Sequence, residues 1–228
     1  NDTLMPTSTH RHTFQSYGGE DRTELMTLSN QTENQLFIAE RFGNWTAALE
    51  YDQIPQAVQK AASRSIADTL GVIAAGGKHP LVKQALLMAE NDEGASIAIG
   101  GKLLRPQTAA LLNGIAAHVY DFDDTSYTGI MHGSAVIVPA LLAVAAETNC
   151  HHERLITAFV AGSEVAYTLA DALTHSHYFD GWWSTGTLGL IGATAAVSRL
   201  YGLDASQTAI SIGLAAAGAA GTKAIIGT

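Results

Sequence analysis

Small residues at helical spacing constrain this chain more than any other feature. From Glu33 onward apolar residues recur three and four apart, and four stretches, roughly 134–148, 152–173, 185–201 and 205–220, are dominated by Ala and Gly. Helices with so few bulky side chains pack with their backbones close together. The spacing predicts three earlier helices: "ENQLFIAERFGNWTAAL"; "IPQAVQKAASRSIADTLGVIAAGG", with Pro55 in its first turn and Gly76-Gly77 at its end; and "HPLVKQALLMAEN". "RPQTAALLNGIAAHVYDF" then resumes the helical pattern and runs straight into an acidic cluster. "ASIAIGGKLL", alternating around Gly100-Gly101, reads as a short hairpin. With no strand-rich region and no internal repeat, the class is mainly α. One helical domain is expected over residues 33–228, after a polar tail at 1–32 that lacks periodicity and is expected to be mobile.

At 228 residues the chain has ample material for a core. Charged residues make up only 14%, against roughly 25% in ordinary soluble domains, so part of the surface is expected to be covered by another subunit or by further polypeptide. A net charge of −9 argues against nucleic acid and against anionic membranes as partners. Cys150 stands alone, which excludes an internal disulfide and Cys-based structural zinc, and suits a reducing cytoplasmic compartment. The longest apolar run, Ala135 to Ala146, is too short to span a bilayer, and the polar N-terminus lacks the apolar core of a signal peptide.

The most unusual chemistry lies in "DFDDTSYTGIMHGS", residues 121–134. Asp121, Asp123 and Asp124 repel one another and need water, a cation or hydrogen-bond donors. If the preceding helix continues through 120, His118 and Asp121 share a face, with Thr125 four residues further on. His132 and Ser134 follow, Ser134 suiting the cap of the next helix. Carboxylates near a histidine suit a divalent ion, although the EF-hand pattern fails for want of its glycine and terminal glutamate. A solvated acidic turn with a capping histidine is the second reading. The third is a proton-transfer site, with Asp121 orienting His132 and Thr125 donating a hydrogen bond. By the same reasoning His118 reads as a packed, hydrogen-bonded histidine and Asp123 as facing water or capping a helix end. His151-His152 read as surface residues, and His175 and His177 as part of a loop after a helix.

Several stretches together carry a resemblance: "AAHVYDFDDT", "HGSAVIVPALLAVAAE", the "DTLG" of residues 68–71, "RPQTAALLNGIAAH" and "GWWSTGTLGLIGATAAVSRLYGLD". In this order they resemble the MmgE/PrpD family, over about residues 34–228. The resemblance implies a large all-helical domain with a smaller α+β lid, assembled as a homodimer. The lid would lie beyond Thr228, absent from this chain, so that the chain alone would be inactive. It also implies a cofactor-independent lyase, a dehydratase or decarboxylase, acting on a small polycarboxylate such as 2-methylcitrate or cis-aconitate with no metal. Epimerisation of a dicarboxylate by proton transfer at carbon is the alternative within the enzymes, and a non-catalytic helical oligomerisation module the alternative outside them.

Carried onto this sequence, the family's catalytic residues fall on Asp121, Thr125, His132 and Lys223, and substrate-binding positions on Ser134, Trp183 and Thr185. Two departures stand out. Trp183 occupies a position where many members have histidine, and it cannot exchange protons at neutral pH. After Lys223, where members often read Pro-Leu-His, this chain reads Ala224, Ile225, Ile226.

Overall fold

A computed structural model describes residues 36–87, 89–148 and 150–225. The tail expected at 1–32 lies outside the described residues, as do Glu33, Asn34 and Gln35. The described chain is mainly α: α1 (Ile38–Ala48), α2 (Gln56–Gly76), α3 (Pro80–Leu87), a two-stranded hairpin of β1 (Ser96–Ile97) and β2 (Leu103–Leu104), then α4 (Pro106–His118), α5 (Ser134–Ala145), α6 (His152–Phe179), α7 (Ser184–Tyr201) and α8 (Ala205–Gly218). The strands pair antiparallel, Ser96 with Leu104 and Ile97 with Leu103. Gly100 and Gly101 turn the hairpin with φ of 76° each, a conformation glycine adopts without Cβ strain.

The middle of the fold is α5. Its apolar residues do not keep to one stripe: Ala135, Ile137, Val138, Leu141, Ala143 and Val144 are all buried, as a helix surrounded by others requires. It packs on α4, α6 and α7, and α6 lies along α7. Small residues allow that last contact. A Cβ built on Gly162 of α6 would fall 2.6 Å from the carbonyl oxygen of Gly192, and one built on Gly192 of α7 would fall 2.7 Å from that of Gly162. Both glycines therefore mark a backbone-to-backbone crossing. Gly162→Ala is expected to force α6 and α7 apart and to lower stability by about 1–3 kcal/mol, read by thermal unfolding.

Helix ends are closed by side chains. Asp204 accepts the N–H of Gln207 at 2.8 Å, and the Gln207 side chain accepts the Asp204 N–H at 3.1 Å, a capping box at the start of α8. Arg199 donates twice to the carbonyl of Leu49 just past α1, and Arg154 donates to the carbonyl of Leu200 in α7. Among the described residues no helix is long and apolar enough to cross a membrane.

Three expected boundaries move. α5 ends at Ala145 instead of 148, where the Thr148 hydroxyl donates to the carbonyls of Val144 and Ala145 and closes the last turn. α6 runs on to Phe179 instead of stopping near 173, so His175 and His177 stand on a helix and not in a loop. Tertiary bonds hold this polar end: His175 Nε2 lies 2.8 Å from the carbonyl of Tyr127, and His177 Nε2 lies 2.8 Å from Thr187 Oγ1. Finally, α4 stops at His118 and does not continue through 120. Asp121 turns the chain with φ of 57°.

Candidate active site

The stretch from Val119 to Gly133 crosses from the end of α4 to the start of α5, and the fold grips it at several points. Met131 is fully buried, and Ser126 and Met131 exchange both backbone hydrogen bonds, at 2.9 and 3.1 Å. Ser134 donates its N–H and its hydroxyl to Asp124. Two non-glycine residues, Asp121 and Ile130, have left-handed backbones, with φ of 57° and 52°. For β-branched Ile130 this is costly, and such strain persists only where the surroundings dictate the conformation.

The left-handed turn at Asp121 aims the next carboxylate inward. Asp123 was expected to face water; instead its side chain is 1% exposed and lies between two imidazoles. His118 Nδ1 stands 3.0 Å from both Asp123 oxygens, and His132 Nδ1 stands 3.1 Å from Oδ2. The two rings are 4.8 Å apart, edge to face. Asp121, expected to orient His132, is exposed and reaches only to 3.7 Å from Nε2. Asp123 therefore takes the orienting position, and Asp121 stands at the solvent side of the ring.

Burial alone pushes the Asp123 carboxyl up, but hydrogen bonds from His118 and then His132 overcome it and hold the group well below the usual carboxylate range. The hydrogen bond to Asp123 raises His132 above its ordinary value; desolvation opposes this, and the charges of Asp123, Asp121 and Asp124 add to the rise. Asp124 is shifted the other way, raised by its burial despite the two bonds from Ser134. With Nδ1–H given to Asp123, the neutral His132 ring leaves Nε2 as the atom able to exchange a proton. His118 is half-buried and hydrogen-bonded, as a packed histidine should be, but its partner belongs to the site.

The other expected residues are distributed around this core. Thr125 Oγ1 lies 3.3 Å from His132 Nδ1. Thr185, near the start of α7, is buried and accepts the His132 backbone N–H at 3.0 Å, so it holds the main chain. Ser134 does not cap α5; its buried hydroxyl is engaged by Asp124. Trp183 is the N-cap residue of α7, with its ring 5.9 Å from that of His118. Lys223 is tied to the same end of α7, since the Trp183 N–H bonds Gly221 and Thr222 bridges to Trp182. Its ammonium lies over the faces of Tyr178 and Phe179, at 4.2 and 5.3 Å. Gly133 abuts the hydroxyl of Tyr167, which burial raises well above the ordinary tyrosine value. Sequence reasoning did not assign a role to Tyr167, which sits inside the apolar-looking α6.

Comparison with known proteins places the chain in a family. A family model described as the MmgE/PrpD N-terminal domain matches residues 40–227. A cis-aconitate decarboxylase-like protein of Aspergillus oryzae is 29% identical over 210 residues, which is 87% of this chain and 43% of that protein. The cis-aconitate decarboxylases of Mus musculus and Homo sapiens are 25% and 27% identical over 193 residues, 80% of this chain and 39% and 40% of theirs. The chain thus spans about two-fifths of the length of these curated relatives.

Proposed function

Because this chain belongs to the MmgE/PrpD family, we propose that it is the helical, histidine-bearing part of a cofactor-independent lyase acting on a small polycarboxylate, such as cis-aconitate or 2-methylcitrate. The observation that carries the reading is the placement of His132, with Nδ1 on a buried carboxylate and Nε2 toward solvent beside Asp121. Loss of carbon dioxide breaks a C–C bond and leaves an electron pair on the carbon framework; a proton from the His132 imidazolium completes the product. In a dehydration the neutral ring takes the proton from carbon and, as imidazolium, returns it to the departing hydroxyl, which leaves as water. Asp123 stabilises the imidazolium in either case, because its hydrogen bond to the ring raises His132 above the ordinary histidine value.

Lys223, freed from the aromatic faces, and Thr125 are proposed to hold substrate carboxylate and hydroxyl groups. The cation–π contact it would leave is worth only about 0.5–1 kcal/mol at an exposed site. Ser134 and Thr185 are proposed as positioning residues and Trp183 as a wall of the pocket. Trp183 also favours a second reading, epimerisation, which asks for proton removal and return at one carbon. Exposed Ile210 and Leu214 on α8 support a homodimer or another covered state of the working protein.

The test is an ultraviolet assay for the loss or formation of conjugated unsaturated acids, run on the natural full-length polypeptide with citrate, 2-methylcitrate and cis-aconitate in the presence of chelator. Turnover that survives chelator and falls about 100- to 10,000-fold in His132→Ala supports the reading. Turnover unchanged in that variant contradicts it.

A further inference from the structure

The groups that hold His132 are also metal-ligand types. His118, Asp121, Asp123 and His132 each offer one nitrogen or carboxylate oxygen, and these atoms all lie within 4.8 Å of one another. Three of them are nearly in coordinating positions. The Asp123 oxygens stand 3.0 Å from His118 Nδ1 and 3.1 Å from His132 Nδ1. Ligands about 2.1 Å from a tetrahedral ion lie about 3.4 Å apart, so an opening of roughly 0.3–0.4 Å would admit one. Asp121, exposed on the solvent side and 3.7 Å from Nε2 of the same ring, supplies the fourth donor of the group.

Two imidazoles with two carboxylates suit a borderline transition ion. Magnesium and calcium prefer all-oxygen shells and larger numbers of ligands. The cluster is held in place from outside: Thr185 fixes the His132 main chain and the Trp183 ring lies 5.9 Å from that of His118, while Thr125, 3.3 Å from His132 Nδ1, would give up that contact to the ion. To coordinate, each neutral imidazole moves its proton from Nδ1 to Nε2, and an imidazolium releases one proton to water.

We propose that this cluster binds one divalent transition ion of the zinc type, with His118 Nδ1, His132 Nδ1 and Asp123 as inner ligands and Asp121 as the outer one. Binding of the ion stands on these four donors alone. Its consequence, that an occupied site cannot move protons at His132 and that zinc inhibits, rests on the lyase reading.

The experiment is calorimetric titration of chelator-stripped full-length protein with zinc chloride, paired with the visible spectrum of the cobalt(II) form. The background is a His151→Ala/His152→Ala double variant, because adjacent surface histidines bind stray metal. The expected result is one zinc per chain that persists in the double variant, with the intense absorption of tetrahedral cobalt. On that background, His118→Gln should weaken zinc by about 10- to 100-fold or more. Asp121→Asn, which alters an exposed side chain and leaves the fold untouched, should weaken it by about tenfold. Loss of all binding in the double variant, an octahedral cobalt spectrum, or affinity indifferent to both His118→Gln and Asp121→Asn would overturn the proposal. Zinc binding without turnover on any polycarboxylate leaves the site standing and removes the lyase reading; chelator-resistant turnover without zinc binding does the reverse.

Discussion

Asp123→Asn is expected to lower kcat by about 100- to 10,000-fold with little change in KM. The asparagine matches the carboxylate in shape but presents an N–H2 where His118 and His132 each need an acceptor. One way for His132 to satisfy that group is to carry its proton on Nε2, which removes the lone pair from the side that faces substrate. A purely structural role for Asp123 would lower the amount of folded protein and leave kcat per folded molecule unchanged.

The same substitution has a stability signature. The Asp123 carboxyl is depressed in the folded chain, so its contribution is present above its unfolded value and is lost as pH falls through the native one. His132 is raised, so its contribution is present below its unfolded value and is lost as pH rises through the native one. The pair is therefore worth most between about pH 4 and 6.5, the unfolded values of the two groups. There Asp123→Asn should cost about 1.5–3 kcal/mol, the range for hydrogen bonds to charged groups, and the cost should shrink above the raised His132 value. Urea unfolding across that pH range checks both the size and the direction.

The second large effect is expected at Asp124→Ala. Asp124 takes both the N–H and the hydroxyl of buried Ser134, and alanine leaves two donors without an acceptor, at about 1–3 kcal/mol each. Because Ser134 is two residues from His132, the variant should also loosen the histidine. Faster amide exchange across residues 131–136, together with lost turnover, is the expected pattern. Asp124→Asn keeps one carbonyl acceptor and should recover part of both losses.

Helices with sustained three- and four-residue spacing were legible in the sequence because nothing in their tertiary setting competes with that period. The hairpin was equally legible from Gly100-Gly101. Two features were hidden for identifiable reasons. The apolar pattern of α4 continues through Val119 and Tyr120, but the helix stops at His118 and Asp121 turns left-handed, a choice that sequence spacing does not display. Extrapolating the helix put Asp121 beside the histidines. Once the chain turns at Asp121, Asp123 takes that place, and an acidic residue that looked solvated becomes the most buried member of the cluster. Likewise the polar "THSHYF" reads as a loop, yet bonds from His175 to Tyr127 and from His177 to Thr187 keep it helical. Thr185 was expected to touch substrate, but its hydroxyl meets the His132 N–H, a contact across 53 residues that no local pattern encodes.

The most direct test of the central claim, that Asp123 holds His132 as a proton carrier with Nε2 toward substrate, is a nitrogen-15 NMR titration of the histidine rings in the full-length protein. His132 should titrate above the ordinary histidine value and, when neutral, carry its proton on Nδ1, with both properties lost in Asp123→Asn. A neutral ring protonated on Nε2, or a titration at or below the ordinary value, would contradict the claim.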